Sequence, residues 1–400
     1  MYEVKAGDTF DGISRKLYGT NEQAATLKAA NPGAGDPPQL GAVLFTPPTS
    51  SPRPVPPSDL VTISIDGAAF FGWTQVGVTR SMDSFSSFIF ESIWNPDDRT
   101  HRRAFQPFQF RDVVIADGAD VLLTGTLIDA TPAVDDKSSK VTVSGYALPG
   151  VLNDCTAPAS ALPLEGDRQT LGGVASQLLT LFGLQLDMPD PGPAFDREAI
   201  APEDKVLDYL TRLAGQRNKI ITDTPQGACR IYSETATPPV ATLRPGDFES
   251  IAPRFQGQDY YSSITGRAPT SFQGVEDEPG SVFTAQNPKL RGRARPYTFK
   301  ATETEAGTLP EATRAKLGRM HANAVEYIVA VNSWRTDSGR LWAPGDRVIV
   351  YAPDVMIYSH YTFLIREVRY SMDATTKTAE LTLVLPGAFN GAVPEHMPWE

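Results

Sequence analysis

The sequence runs to 400 residues with 36 basic and 47 acidic side chains, a formal charge of -11 and the wrong sign for a protein whose main task is gripping a nucleic-acid backbone. Apolar residues at 41% and charged residues at 21% suit a soluble globular protein, and 34 prolines with 32 glycines point to many turns and short, β-rich elements in roughly two to four domains. The only cysteines, Cys155 and Cys229, form no CxxC pair, so two buried thiols are expected in place of a zinc ribbon or a disulfide scaffold.

Residues 1–47 read as one compact unit. Tyr2 to Val4 is a short strand, and Asp8 or Thr9 caps a helix whose core positions are Phe10, Ile13 and Leu17, ended by Gly19. A second helix is expected from Asn21, as its cap, to Ala30, because Asn31-Pro32-Gly33 is a strong stop. Ala42 to Pro47 returns as a strand. The proline-rich stretch that follows, residues 48–58, is a semi-rigid spacer of about 30 Å in polyproline conformation.

From residue 59 to 150 the pattern is strands: Leu60–Asp66, Gln75–Ser81, Phe85–Ser92, Phe108–Asp117, Asp120–Asp129 and Lys140–Leu148, with "DGAD" at Asp117 to Asp120 as a hairpin turn. Residues 151–245 are mixed. One helix places Leu171, Val174, Leu178 and Leu181 on a single face; another begins with Pro202 in its first turn and turns Val206, Leu210 and Leu213 inward. Strands Lys219–Asp223 and Ala228–Ser233 complete a small α/β domain. Residues 246–388 return to β, with Asp259–Ala268, Arg295–Glu303, a helix from Leu309 to about Asn323, then Gly345–Pro353, Tyr361–Asp373 and Lys377–Pro386. The last two make a hairpin whose apolar face holds Leu381, Leu383 and Leu385. Residues 389–400 are a tail. The fold class expected is mainly β with α+β parts, two β-barrel domains flanking the α/β domain.

Met-Tyr-Glu-Val-Lys at the start lacks the basic and apolar regions of a secretory signal, and no run of about 18 apolar residues occurs. The expectation is a chain without a membrane-spanning segment, made and left in a cytoplasm. None of His101, His321, His360 and His396 sits in HExxH or another zinc spacing, and "DDRTH" at Asp97 to His101 reads as a solvated loop. A GxSxG elbow and a phosphate loop are both absent. The expectation is no enzyme, no cofactor and no metal. Arg291, Arg293 and Arg295 share one side if "RGRAR" is extended, either as a contact for an acidic partner or DNA or as a solvated loop.

"YEVKAGDTFDGISRKLYG", "AANPG" and "LGAVLFTP" resemble a LysM domain, a βααβ module, and within it the small tail protein X of contractile-tailed phages. That resemblance implies a contact surface at Gly7, Asp8, Thr9, Phe10, Ala30, Asn31 and Pro32, facing either a glycan or a neighbouring protein. Ser338 to Phe389, supported by "KVLDYLTRLAGQRN" and "FFGWTQVGVTRSMD", resembles the tail protein P family of Mu-like phages, the baseplate hub. It implies a homotrimer in the virion, at the tail baseplate, assembled in the host cytoplasm. Its partners would be the tail tube protein, the central spike protein and baseplate wedge or sheath proteins, with DNA passing transiently through the ring. The alternative is a tail protein that binds peptidoglycan through its LysM domain, with or without muralytic activity.

Overall fold

The computed structural model describes residues 2–18, 21, 23–44, 46, 61–135, 139–159, 165–195, 197–267, 282–290, 292–300 and 309–400. Gly19, the spacer at 48–58 and Arg291 lie outside the described residues. The chain divides into two compact units, Met1–Pro57 and Ser58–Glu400.

In the first unit, β1 (Tyr2–Glu3) pairs antiparallel with β2 (Val43–Leu44), and α1 (Phe10–Tyr18) and α2 (Ala24–Ala29) lie between them in sequence. Thr9 starts α1, its hydroxyl accepting from the Gly12 N–H at 3.1 Å. The core is Val4, Phe10, Ile13, Leu27, Ala34 and Leu44. Leu17 is 38% exposed and corrects the expected core list, since the helix turns that position toward solvent. Gln23, not Asn21, occupies the cap position of α2 and makes no side-chain capping bond there; the Asn21 carbonyl accepts from the Ala24 N–H at 2.9 Å. Asp8 holds the loop before α1. Its buried carboxylate accepts from the Tyr2 hydroxyl at 2.7 Å, the Lys5 N–H at 2.9 Å and Lys16 Nζ at 2.5 Å.

The second unit opens with β3 (Val61–Ile65), β4 (Ala68–Phe70), β5 (Trp73–Ser81), β6 (Ser87–Ile93), α3 (Arg99–Ala104), β7 (Asp112–Asp117), β8 (Asp120–Val134) and β9 (Ser139–Ala147). Alternation decides which faces are inside: Val76 and Val78, Phe88 and Phe90, Val113 and Ile115, and Val141 and Val143 are all buried. The β7–β8 turn is the two-residue hairpin read from "DGAD", with Gly118 at φ 62 and Asp117 opposite Asp120. Where β8 and β9 cross, a Cβ on Gly125 would sit 2.1 Å from the Tyr146 carbonyl oxygen and one on Gly145 2.0 Å from that of Thr126, so only glycine fits. The "DDRTH" stretch is not a loop throughout. Asp98 caps α3 through the Thr100 N–H at 2.7 Å, and the His101 ring packs among Phe70, Trp94 and Phe105.

The middle segment carries α4 (Val151–Asp154), β10 (Glu165–Asp167), α5 (Leu171–Thr180), β11 (Leu186–Asp187), β12 (Arg197–Ala199), α6 (Val206–Gln216), β13 (Ile220–Asp223) and β14 (Cys229–Tyr232). Leu171, Val174 and Leu178 pack against Val206, Leu210 and Leu213, but Leu181 is 42% exposed at the end of α5. Pro202 lies in the turn before α6, which starts at Val206. Cys229 is buried and Cys155 half-buried, both as free thiols.

The remaining elements are β15 (Pro239–Leu243), β16 (Ser250–Phe255), β17 (Ser263–Arg267), β18 (Val282–Gln286), β19 (Pro296–Lys300), α7 (Leu309–Ala324), β20 (Val325–Val331), β21 (Arg347–Ala352), β22 (Ile357–Met372) and β23 (Lys377–Val384). Strands β17 to β19 form their own sheet against α7, where Ile264 and Ala285 meet Leu317 and Met320. All the other late strands join the early ones. Among the described residues a 13-stranded sheet runs β16-β20-β23-β22-β5-β6-β9-β8-β7-β3-β4, with β21 and β15 branching from β22. The antiparallel β22–β5 ladder therefore fuses the β regions at 59–150 and 246–388 over one shared core.

A buried ion cluster secures the same joint. Asp117, fully buried, accepts from Arg335 Nη2 at 2.8 Å and Lys377 Nζ at 2.6 Å, and Arg335 also reaches Asp120 at 2.8 Å. Replacing Asp117 by Ala leaves two half-buried cations facing an apolar gap, and a destabilisation of about 3–5 kcal/mol is expected in the denaturant midpoint of the second unit. The first unit is expected to respond to acid. Burial raises the Asp8 carboxyl, but its bonds from Lys16, Lys5 and Tyr2 outweigh this and hold it at about 2, below the ordinary 3.8. Its contribution is complete above about pH 4 and is lost as pH falls through about 2. Hydrogen-exchange protection of α1 in the full chain should fall across that window, and Asp8→Asn should abolish the dependence.

Candidate functional site

The seven residues marked by the LysM resemblance do different jobs. Gly7, Thr9 and Pro32 are exposed; Gly7 is left-handed at φ 82. Asp8 and Phe10 are buried, one clamping its loop and the other filling the core. Ala30 closes α2, and half-buried Asn31 donates from Nδ2 to the Leu27 carbonyl at 2.7 Å. The two loops are linked through the core between them, where Phe10 and Leu27 belong to one cluster. The surface on offer is thus Gly7, Thr9 and Pro32.

Of the arginine run, only the part from Gly292 onward is described. Gly292 at φ 76 breaks any extended conformation. Arg293 is exposed, and Arg295 spends its guanidinium on the carbonyls of Tyr260 at 3.0 Å, Gly257 at 3.1 Å and Gln258 at 2.5 Å. It staples a turn.

One exposed aromatic stretch of the second unit reads as strand in the sequence. Phe108–Gln109–Phe110 precedes β7, which begins only at Asp112. Phe108 is 83% exposed at φ 62 and Phe110 59% exposed at φ 47. A bulky side chain in the left-handed region costs about 1–3 kcal/mol. Both backbones are bent so that their rings face outward. The Arg111–Asp66 ion pair and the bond from the Leu127 N–H to the Arg111 carbonyl at 2.8 Å anchor the segment's end. Phe71, 80% exposed, follows the edge strand β4, and Arg99, Arg102 and Arg103 are exposed on α3. The exposure of Phe108 and Phe110 was not legible, because alternating Phe residues before a strand read as its continuation.

Two cavities lie where the middle segment meets the β sheet. One, about 480 Å³, is walled by the β5–β6 loop, α6, α7, Arg366 and Phe389. Arg319 lines it, its guanidinium pKa pushed down by burial despite Asp83 nearby. The other, about 610 Å³, is lined by Asp223, Glu234 and Asp346, and burial pushes the carboxyls of Asp223 and Asp346 up. Arg347 bonds Glu234 at 2.6 Å and Arg340 bonds Asp346 at 2.6 Å, so these two acids serve as ion-pair partners, while Asp223 accepts from the Ser86 N–H at 2.5 Å. Among the described residues no group of three His, Cys, Asp or Glu side chains is placed to hold a metal.

Residues 311–392, from α7 through the final hairpin, match the family described as Mu phage baseplate assembly protein GpP, fourth domain. The baseplate hub protein gp44 of Escherichia phage Mu is 25% identical over 313 residues, 74% of this chain and 79% of that protein. Two solved structures share the fold. The 43 kDa tail protein of prophage MuSo2 from Shewanella oneidensis superposes with a TM-score of 0.70 at 23% identity, covering 82% of this chain and 98% of its own. The tail protein from Neisseria meningitidis MC58 does so with a TM-score of 0.68 at 20% identity, covering 84% and 99%. The chain is thus similar in sequence to the Mu baseplate hub protein and shares its fold with two tail proteins along nearly the whole of each.

Proposed function

We propose that this chain forms a homotrimeric ring at the baseplate of a contractile tail, joining the tail tube to the central spike and letting DNA pass, with no catalytic step. The observation that carries the reading is the fusion of two β regions into one sheet within a hub fold. Two such regions per chain give a trimer six, so one face of the ring can meet a sixfold tube while the other keeps threefold symmetry for a spike. The β22–β5 ladder and the Asp117 cluster make the pair a rigid body, which a load-bearing adaptor needs.

A closed ring of identical chains uses a heterologous contact, in which one patch meets a different patch on the next copy. Phe71, Phe108 and Phe110 are the apolar half of that contact in this reading, with α3 arginines as its rim against an acidic neighbour of net charge -11. The LysM-like unit docks to a neighbouring baseplate or sheath component through Gly7, Thr9 and Pro32, with Asp8, Phe10, Ala30 and Asn31 holding those loops in shape.

Light scattering of the full chain at high concentration, alone and with its spike partner, is expected to give a trimer. Phe108→Ser with Phe110→Ser should weaken assembly by about a hundredfold or more, as for buried interface aromatics, while the monomer's melting temperature stays or rises. A stable monomer from the unaltered chain under both conditions overturns the ring. For the first unit, deletion of residues 1–58 should leave the trimer intact but remove a wedge or sheath attachment from assembled tails. Co-sedimentation of the full chain with purified sacculi, lost on Pro32→Asp, would instead assign the unit to glycan.

A further inference from the structure

The 480 Å³ cavity joins three parts of the fold. The β5–β6 loop gives Asp83 and Phe85, α6 gives Leu207 and Thr211, and α7 gives Arg319. Three cations, Lys219, Arg319 and Arg366, face a single carboxylate on this wall, that of Asp83. Two of the cations are already neutralised. Lys219 Nζ bonds Asp190 at 2.7 Å; Arg366 bonds Asp83 at 2.9 Å and Glu326 at 3.0 Å. Arg319 differs: among the described residues its one hydrogen bond runs from Nη2 to the Lys219 backbone carbonyl at 3.2 Å, a neutral acceptor.

A guanidinium carries five N–H donors in a planar fork, and the anion that matches the fork with two parallel bonds is a carboxylate or a phosphate. The rest of the wall chooses between them. Phe85, Leu207, Ile220 and Phe389 give the cavity apolar sides that a bare phosphate would leave uncovered but an aliphatic stem would fill. A volume of about 480 Å³ lies in the range of small-ligand sites and admits a side chain or a chain end, not a folded element.

We infer that this cavity is a binding site for a peptide carboxylate, an acidic side chain or a free C-terminus presented on an apolar stem by a partner polypeptide, with Arg319 as its principal ligand. An occupant would touch the β5–β6 loop, the middle segment and α7 at once, so binding would tighten their packing. The hub reading supplies only the source of the peptide, and the assignment is read on the isolated full-length chain, so either can fail without the other.

The probes are acetyl-Phe-Glu-amide, which carries a side-chain carboxylate, acetyl-Phe-Ala with a free C-terminus, the neutral acetyl-Phe-Gln-amide and inorganic phosphate, measured by calorimetry and thermal shift. At least one acidic peptide is expected to bind at least tenfold tighter than the Gln peptide, and which one it is names the source of the carboxylate. Arg319→Gln should weaken that binding tenfold or more. Thr211→Trp, at an exposed position of α6 that cannot disturb the core, should block it while the chain melts normally. The inference is overturned by equal binding of the Gln peptide, by no binding of either acidic peptide, or by binding that survives Thr211→Trp. Phosphate binding as tight as the better peptide assigns a bare anion site and overturns it as well.

Discussion

Six residue pairs, from Glu367 opposite Ser81 to Met372 opposite Val76, join β22 to β5, strands far apart in the sequence. Everything in the second unit is arranged around that ladder. It makes one hydrophobic cluster from strands that begin at Val61 and end near Leu385, so neither β region has a complete core without the other. Pairing so far apart in sequence gains nothing until most of the chain is made, and a long loop must close first. The side chains beside the ladder reflect this demand. Tyr370, opposite Val78, is fully buried and gives its hydroxyl to the Trp342 carbonyl, while Trp334 packs against its ring at 5.3 Å and donates to the Thr378 carbonyl at 2.8 Å. Both of these buried polar groups thus have a partner, as a buried network requires.

The middle segment is attached differently. Its contacts with the sheet are mostly polar: the Thr222 hydroxyl donates to the carbonyls of Ser81 and Ser84 at 2.7 and 2.9 Å, and the Ser86 N–H donates to Asp223 at 2.5 Å. The apolar part of the joint is a cluster of Met82, Ile220, Ala322, Leu364, Val384, Ala388 and Phe389, much smaller than the core of the sheet. A seam held by hydrogen bonds fixes orientation sharply but buries little apolar area, and so contributes less to stability than the sheet's own core. That contrast accounts for the two cavities at this seam.

How far the sequence carried depended on the range of the forces involved. Alternation and turn chemistry are local, so β5, β6, β7, β8 and the final hairpin were readable, down to Gly118 in its two-residue turn. Helical spacing was readable too, but only its middle; Leu17 and Leu181 continue the apolar period beyond the point where anything packs against it. The joining of β5 to β22 left no mark, since each strand alternates as it would beside any partner. Strand β18 was missed and α3 was read as loop, the latter because its cap, Asp98, stands among charges that suggested solvent. Phe108 and Phe110 misled most: their period of two is that of a strand, while left-handed backbone turns both outward.

The N-terminal unit shows the same limit at the level of a motif. A short recurring pattern such as "GDTF" invites the view that each residue touches a ligand, yet Asp8 has Tyr2, Lys5 and Lys16 on its carboxylate, and Phe10 is among the buried core residues. A unit this small, with two strands of two residues each, cannot hold a loop by its sheet alone. The polar clamp does that work, and it does so whether the loop faces a sugar or a protein. The motif therefore specifies a loop shape, and what the clamp leaves exposed is Gly7 and Thr9 on one side and Pro32 on the other.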